Sequence, residues 1–199
     1  VILLWSALAV AGPLQDRALI GQLDREVIAL KQRVTYLEGQ LATCTIDTSL
    51  VPVFSELRAV LSGTPARVTR EGLSVRVTIS HTELFGSGAT AVREEADPML
   101  DMLSTAIKVH PELRVTVAAY NDSALVPASL RKVVPSVWEL TAMRAAIVVR
   151  VLVDKFGVPP SSLTAAGRGM QEPVQTDTDT ELAGENRRVV FIFEPGVKP

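Results

Sequence analysis

The stretch SVWELTAMRAAIVVRVLVDKFG, residues 136–157, constrains the fold of this chain more than any other. Leu140, Met143, Ile147, Val148, Val151 and Leu152 recur at helical spacing and define one apolar face. The spacing predicts a helix that ends at Gly157. A helix with such a face needs an apolar layer to pack against. Arg144 breaks the pattern, because it lies on the same face between Leu140 and Val148. A guanidinium stays charged, so on the core side it requires an acid or a desolvated acceptor.

The surrounding pattern supplies the layer. ARVTREGLSVRVTIS reads as two strands joined by a turn at Glu71-Gly72, with Leu73, Val75, Val77 and Ile79 alternating with Ser74, Arg76 and Thr78. Val92, Ala96, Met99, Leu100, Leu103 and Ile107 form a helical stripe. LRVTVAA at 113–119, residues 162–166 and residues 187–193 read as further strands, the last ending before Pro195. Strands alternating with helices predict an α+β fold, a βαβαβ-type sheet with helices on one face.

Ahead of this domain the organisation changes. Ile20, Leu23, Val27, Leu30, Val34, Leu37 and Leu41 alternate spacings of three and four. With Ile20 at a, branched residues fill most a positions and leucines the d positions, which favours a parallel dimer. Glu26 at g then faces Lys31 at e of a second copy, and Arg33 faces Glu38. A helix lying along its own domain is the other reading. Cys44 falls at the next d position, where an oxidising compartment would join two chains by a disulfide; the alternative is a free thiol at a frayed end. The predicted divisions are 1–13, a leader; 14–44, a coiled-coil stalk; 45–65, a linker with a short amphipathic helix; 66–196, the globular domain; and 197–199, a tail.

VILLWSALAVAG at the start is uncharged but shorter than the roughly 20 residues that span a bilayer. It reads as the h-region of a truncated signal peptide, with Ala9-Val10-Ala11 as a small-x-small cleavage site, or as the outer end of a transmembrane helix. The chain opens with Val1 rather than Met, so further upstream sequence is expected. Either leader carries the rest of the chain across a membrane.

Composition excludes several classes. A formal net charge of -2 offers no basic footprint for nucleic acid. Two histidines and one cysteine form no metal-ligand pattern, and no cofactor is expected. His81 and His110 read as surface or structural. No nucleophile–base pair stands out, so the chain is expected not to be an enzyme.

The acid best placed for Arg144 is Asp122, just beyond the strand at 113–119. The pair has two readings. One is a structural salt bridge between loop and helix. The other is a receptor for a zwitterion, Asp122 taking an ammonium and Arg144 a carboxylate bidentately.

Four motifs, TVAAYNDS (116–123), VWELTAMRAAIVVRVL (137–152), LTAAGRG (163–169) and GENRRVVF (184–191), resemble the OmpA-like peptidoglycan-binding domain family. The resemblance covers residues 70–194. It implies a two-layer α/β sandwich whose loop Asp and helix Arg bind the free amino-acid end of meso-diaminopimelate; those positions match Asp122 and Arg144. Tyr120, Asn121, Asn186 and Arg188 are further candidates around that site. The chain also departs from the family. The usual Gly-His-Thr-Asp loop is Ala119-Tyr120-Asn121-Asp122, and Val137 replaces an Asn that commonly contributes. TDTDTELAG stands where the family has a different polar run.

The leading expectation is a periplasmic, membrane-anchored protein of a Gram-negative-type bacterium. It is a dimer that grips peptidoglycan, with a stalk of about 25 residues, or about 38 Å. A MotB-like stator subunit of an ion-driven motor is a second reading, although residues 1–12 contain no ion-carrying acid. A degenerate module that binds another protein is the third.

Overall fold

The computed structural model describes residues 22–36, 50–86, 91–122, 126–174 and 183–196. The chain divides into two units, Val1–Ile46 and Asp47–Pro199. In the first, residues 22–36 form helix α1. Leu23, Val27, Leu30 and Val34 are all about half exposed or more, so this single copy leaves the predicted a/d seam open. The leader, the remainder of the predicted stalk and Cys44 lie outside the described residues. Among the described residues no helix is long and apolar enough to cross a membrane.

The second unit is a five-stranded sheet with order β1-β2-β5-β3-β4. The strands are β1 (Arg67–Glu71), β2 (Ser74–Ser80), β3 (Leu113–Ala119), β4 (Leu163–Gly167) and β5 (Arg188–Pro195). Helices α2 (Leu50–Val60), α3 (His81–Leu84), α4 (Asp97–Val109) and α5 (Val137–Asp154) complete it. β1 and β2 form the predicted hairpin, turning at Gly72 with φ 57°. β5 lies antiparallel between β2 and β3, and β4 runs parallel to β3. β5 passes the predicted end and pairs through Pro195 with Leu113.

Alternation sorts the side chains. Val75, Val77 and Ile79 of β2, Val115 and Val117 of β3, and Val189, Phe191 and Phe193 of β5 share one core with α2, α4 and α5. The opposite face carries a smaller cluster of Ala118, Tyr120, Val190 and Ile192. The helices therefore cover one face, as predicted. α4 begins with Pro98 in its first turn, where a missing N–H costs nothing. α5 begins with a capping box, Ser136 accepting from the Trp138 amide and Glu139 accepting from the Ser136 amide.

Two boundaries differ from the sequence reading. Residues 45–65 read as a linker, yet Leu50, Val53 and Leu57 of α2 are fully buried in the main core. A short helix whose buried face meets both α4 and the β1–β2 hairpin is part of the domain, which begins at Asp47. His110 at the end of α4 ties α2 down, with Nε2 2.9 Å from Glu56 and Nδ1 3.1 Å from Glu112. Val92 does not extend the α4 stripe; it pairs with Phe85 in an isolated bridge.

Candidate functional site

One end of the sheet collects the polar residues. β3 runs out at Ala119, and the chain stays attached to its neighbours for two more residues. The Tyr120 amide donates to the Arg188 carbonyl at 2.9 Å, and the Asn121 amide donates to the Gly169 carbonyl at 2.7 Å. On the far side of β5, the His81 amide donates to the Arg187 carbonyl at 2.8 Å. His81, Arg187 and Asn121 thus lie side by side where β2, β5 and β3 reach their common edge.

The LTAAGRG segment locks α5 onto this edge. A Cβ at Gly167 would lie 2.6 Å from the Ala142 backbone nitrogen, so only glycine permits this approach of helix and strand. The Gly169 amide donates to Thr141 Oγ1 at 3.0 Å, and Gly169 has φ 57°. The Trp138 ring packs over Gly169.

This lock brings Arg144 to Asn121 and Asp122. All three are more than 90% buried, Arg144 with 5% of its surface exposed. Arg144 is on the core-facing side of α5 with Leu140, Ala145, Val148 and Leu152, as the helical spacing predicts. Its Nη1 donates to Asn121 Oδ1 at 3.0 Å. Asn121 Nδ2 in turn donates to Asp122 Oδ1 at 3.2 Å. Asn121 therefore stands between the two charges. Asp122 Oδ2 pairs with Arg187 Nε at 3.1 Å.

The electrostatics follow from burial. Desolvation and the neighbouring Arg187 charge lower the Arg144 pKa, and Asp122 opposes them. Arg144 Nε is buried with no hydrogen-bond partner, and so is His81 Nε2. His81 is stacked on Phe85 with ring centroids 5.0 Å apart. Burial, then the charges of Arg144 and Arg187, hold its pKa at about 4, so the ring is neutral at pH 7.

The other predicted residues go elsewhere. Tyr120 and Arg188 point to the outer face of the sheet, the Arg188 guanidinium lying 4.0 Å from the Tyr120 ring centroid. The Tyr120 hydroxyl donates to Glu172 at 3.1 Å, and burial followed by the Glu172 charge raises its pKa. Arg188 donates to the Glu172 carbonyl at 2.7 Å. Asn186 is buried and accepts from the Val174 amide at 2.8 Å. Val137 packs against a small cluster of Val126, Val134 and Leu140.

Arg187 was the residue missed, since it was not among the candidates around Asp122 and Arg144. It lies one residue before β5, where the strand pattern no longer fixes which way a side chain turns, and only the fold brings its Nε to Asp122.

A family model described as the OmpA family matches residues 84–187. Motility protein B of Bacillus subtilis (strain 168) is 26% identical over 129 residues, which are 65% of this chain and 48% of that protein. The chain spans about half the length of the curated relatives it matches. Among solved structures, a putative MotB-like protein from Desulfovibrio vulgaris superposes with TM-score 0.69 at 24% identity, over 77% of this chain and 95% of that one. The cell wall anchor of the T6SS from Pseudomonas aeruginosa superposes with TM-score 0.60 at 27% identity, over 72% of this chain and 96% of that one. The fold, the motif spacing and the family match agree: this chain belongs to the OmpA family.

Proposed function

We propose that the protein is a non-catalytic cell-wall anchor that holds the free amino-acid end of diaminopimelate in the peptide stem of peptidoglycan. Asp122 takes the ammonium and Arg144 the carboxylate. The observation that carries this reading is Arg144 itself. A guanidinium in the apolar interior is costly unless its donors are matched. Here Nη1 is matched by Asn121 and Nε is not. A carboxylate on the unmatched side completes the guanidinium with two parallel charge-assisted bonds. The neutral His81 ring, whose Nε2 is also unmatched, adds a hydrogen-bonding group without adding charge. Asp122 is held in place by Asn121 and Arg187.

The protein works outside the inner membrane, in the periplasm of a Gram-negative-type bacterium, anchored through the segment that precedes the stalk. The open a/d seam of α1 and the g–e charge pattern support a parallel homodimer through residues 20–44. Cys44, outside the described residues, then joins the two copies by a disulfide. The similarity to Motility protein B favours a second reading, in which the same wall contact serves a stator subunit of an ion-driven motor.

The test is co-sedimentation of the full chain with purified diaminopimelate-type peptidoglycan. Wild type should pellet with the wall. Asp122→Ala and Arg144→Ala, folded by circular dichroism, should remain in solution. Equal pelleting of all three, or none, would overturn the anchor reading and turn attention to protein partners.

A further inference from the structure

The outer face of β1, β2 and β5 forms an open groove of about 550 Å³. Strand alternation turns Arg67 of β1 and Arg76 of β2 toward it, while Val75, Val77 and Ile79 face the core. With Arg187 and Arg188 the groove has four guanidiniums against two carboxylates, Glu71 and Glu185, and serine and threonine hydroxyls lie among them. Arg76 Nη1 is 3.2 Å from Glu71, and its Nε is buried with no hydrogen-bond partner. The groove therefore has an excess of cationic donors, in a chain whose formal net charge is -2.

Arg187 belongs to two places. It lines the groove, and its Nε holds Asp122. A ligand whose ammonium reaches Asp122 thus has this groove directly beside it. The peptide stem has a second acid close to diaminopimelate. The glutamate that precedes it is linked through its γ-carboxyl, which leaves the α-carboxylate free. Hydroxyls between guanidiniums suit the amides on either side of that acid, and the volume falls in the range of small-ligand sites.

Resting on the anchor reading, we propose that this groove is a second anion subsite, in which Arg67 and Arg76 receive the free α-carboxylate of the γ-linked glutamate. The wall is then read at two points, a zwitterion at the sheet edge and a carboxylate on the outer face.

Isothermal titration of the full chain with three probes tests this: free meso-diaminopimelate, the tripeptide L-Ala-γ-D-Glu-meso-diaminopimelate, and the same tripeptide with the glutamate α-carboxylate amidated. Wild type should bind the acid at least about tenfold more tightly than the amide, the lower end for a charge-assisted hydrogen bond. In Arg67→Gln/Arg76→Gln that preference should vanish, with binding of free diaminopimelate unchanged. Equal binding of acid and amide by wild type would overturn the subsite and leave the anchor intact. That comparison requires no variant to fold. A preference that survives in the double variant would also overturn it. If wild type binds none of the three probes, the anchor reading fails and the subsite fails with it.

Discussion

Replacing Arg144 by methionine separates what the buried guanidinium costs from what it does. In the free chain it makes a hydrogen bond from Nη1 to Asn121 and leaves Nε unmatched. Losing that bond costs about 1 kcal/mol, and stranding the Asn121 amide oxygen adds about 1–3 kcal/mol. Against this stands the desolvation of a buried ion, an effective penalty of several kcal/mol that methionine does not carry. The two nearly cancel. Arg144→Met should fold within about 2 kcal/mol of wild type, a change in Tm of no more than about 8 °C for a domain of this size. Binding should behave differently. A bidentate guanidinium–carboxylate pair is two charge-assisted bonds of about 1.5–3 kcal/mol each, so affinity for meso-diaminopimelate should fall more than about 100-fold. Thermal melts followed by circular dichroism give the first quantity and isothermal titration the second. A variant destabilised by more than about 3 kcal/mol that still binds normally would refute the reasoning. Arg144 would then be a structural tie between α5 and the loop after β3.

Gly167→Ala should lower stability by about 1–3 kcal/mol, because its Cβ would meet the α5 backbone at Ala142; an unchanged Tm would contradict that close approach. His81 is a pH-dependent element, and its sign follows from a folded pKa of about 4 against an ordinary 6.5. The unfolded chain binds the extra proton between those values, so this contribution to stability is complete above about pH 6.5 and lost as pH falls toward 4. Melts of His81→Phe across that range should show a shallower pH slope than wild type, and an identical slope would exclude His81 as its source. Leu30→Glu, which puts a charge into the open α1 seam, should convert a dimer of about twice 21.4 kDa into a monomer by light scattering. A monomeric wild type would remove the coiled coil.

Much of this fold is written in local periodicity. The alternation in β2 and the stripe on α4 need no distant contact to be read, and both elements form, although β2 starts after Leu73 and α4 only at Asp97. Arg144 was legible for the same reason, since a charge at a core-facing helical position has few explanations. What failed to show depended on neighbours distant in sequence. α2 reads as a linker because its apolar face is short, and only α4 and the hairpin turn that face into core. The outward turn of Tyr120 and Arg188 depends on the register of β3 with β5, which places Ala119 opposite Val189. No spacing along one segment encodes that.

The same register changes the meaning of the family departures. Read in sequence, Val137 and the altered loop remove polar partners from the site. In the fold, Val137 serves a small apolar cluster, and the polar bridging is done by the residue next to the acid. Asn121 accepts from Arg144 with its amide oxygen and donates to Asp122 with its amide nitrogen, so one side chain orients both charges. It can do this because its backbone is fixed by the Gly169 carbonyl, and Gly169 is fixed by Thr141 on the same helix that carries Arg144. Helix, turn and loop form a closed circuit of hydrogen bonds around the two charges. Such a circuit sets their separation before any ligand arrives, which reduces the ordering cost of binding. On the proposed reading, a site that is poorer in polar residues keeps the pre-organisation that recognition of a zwitterion requires.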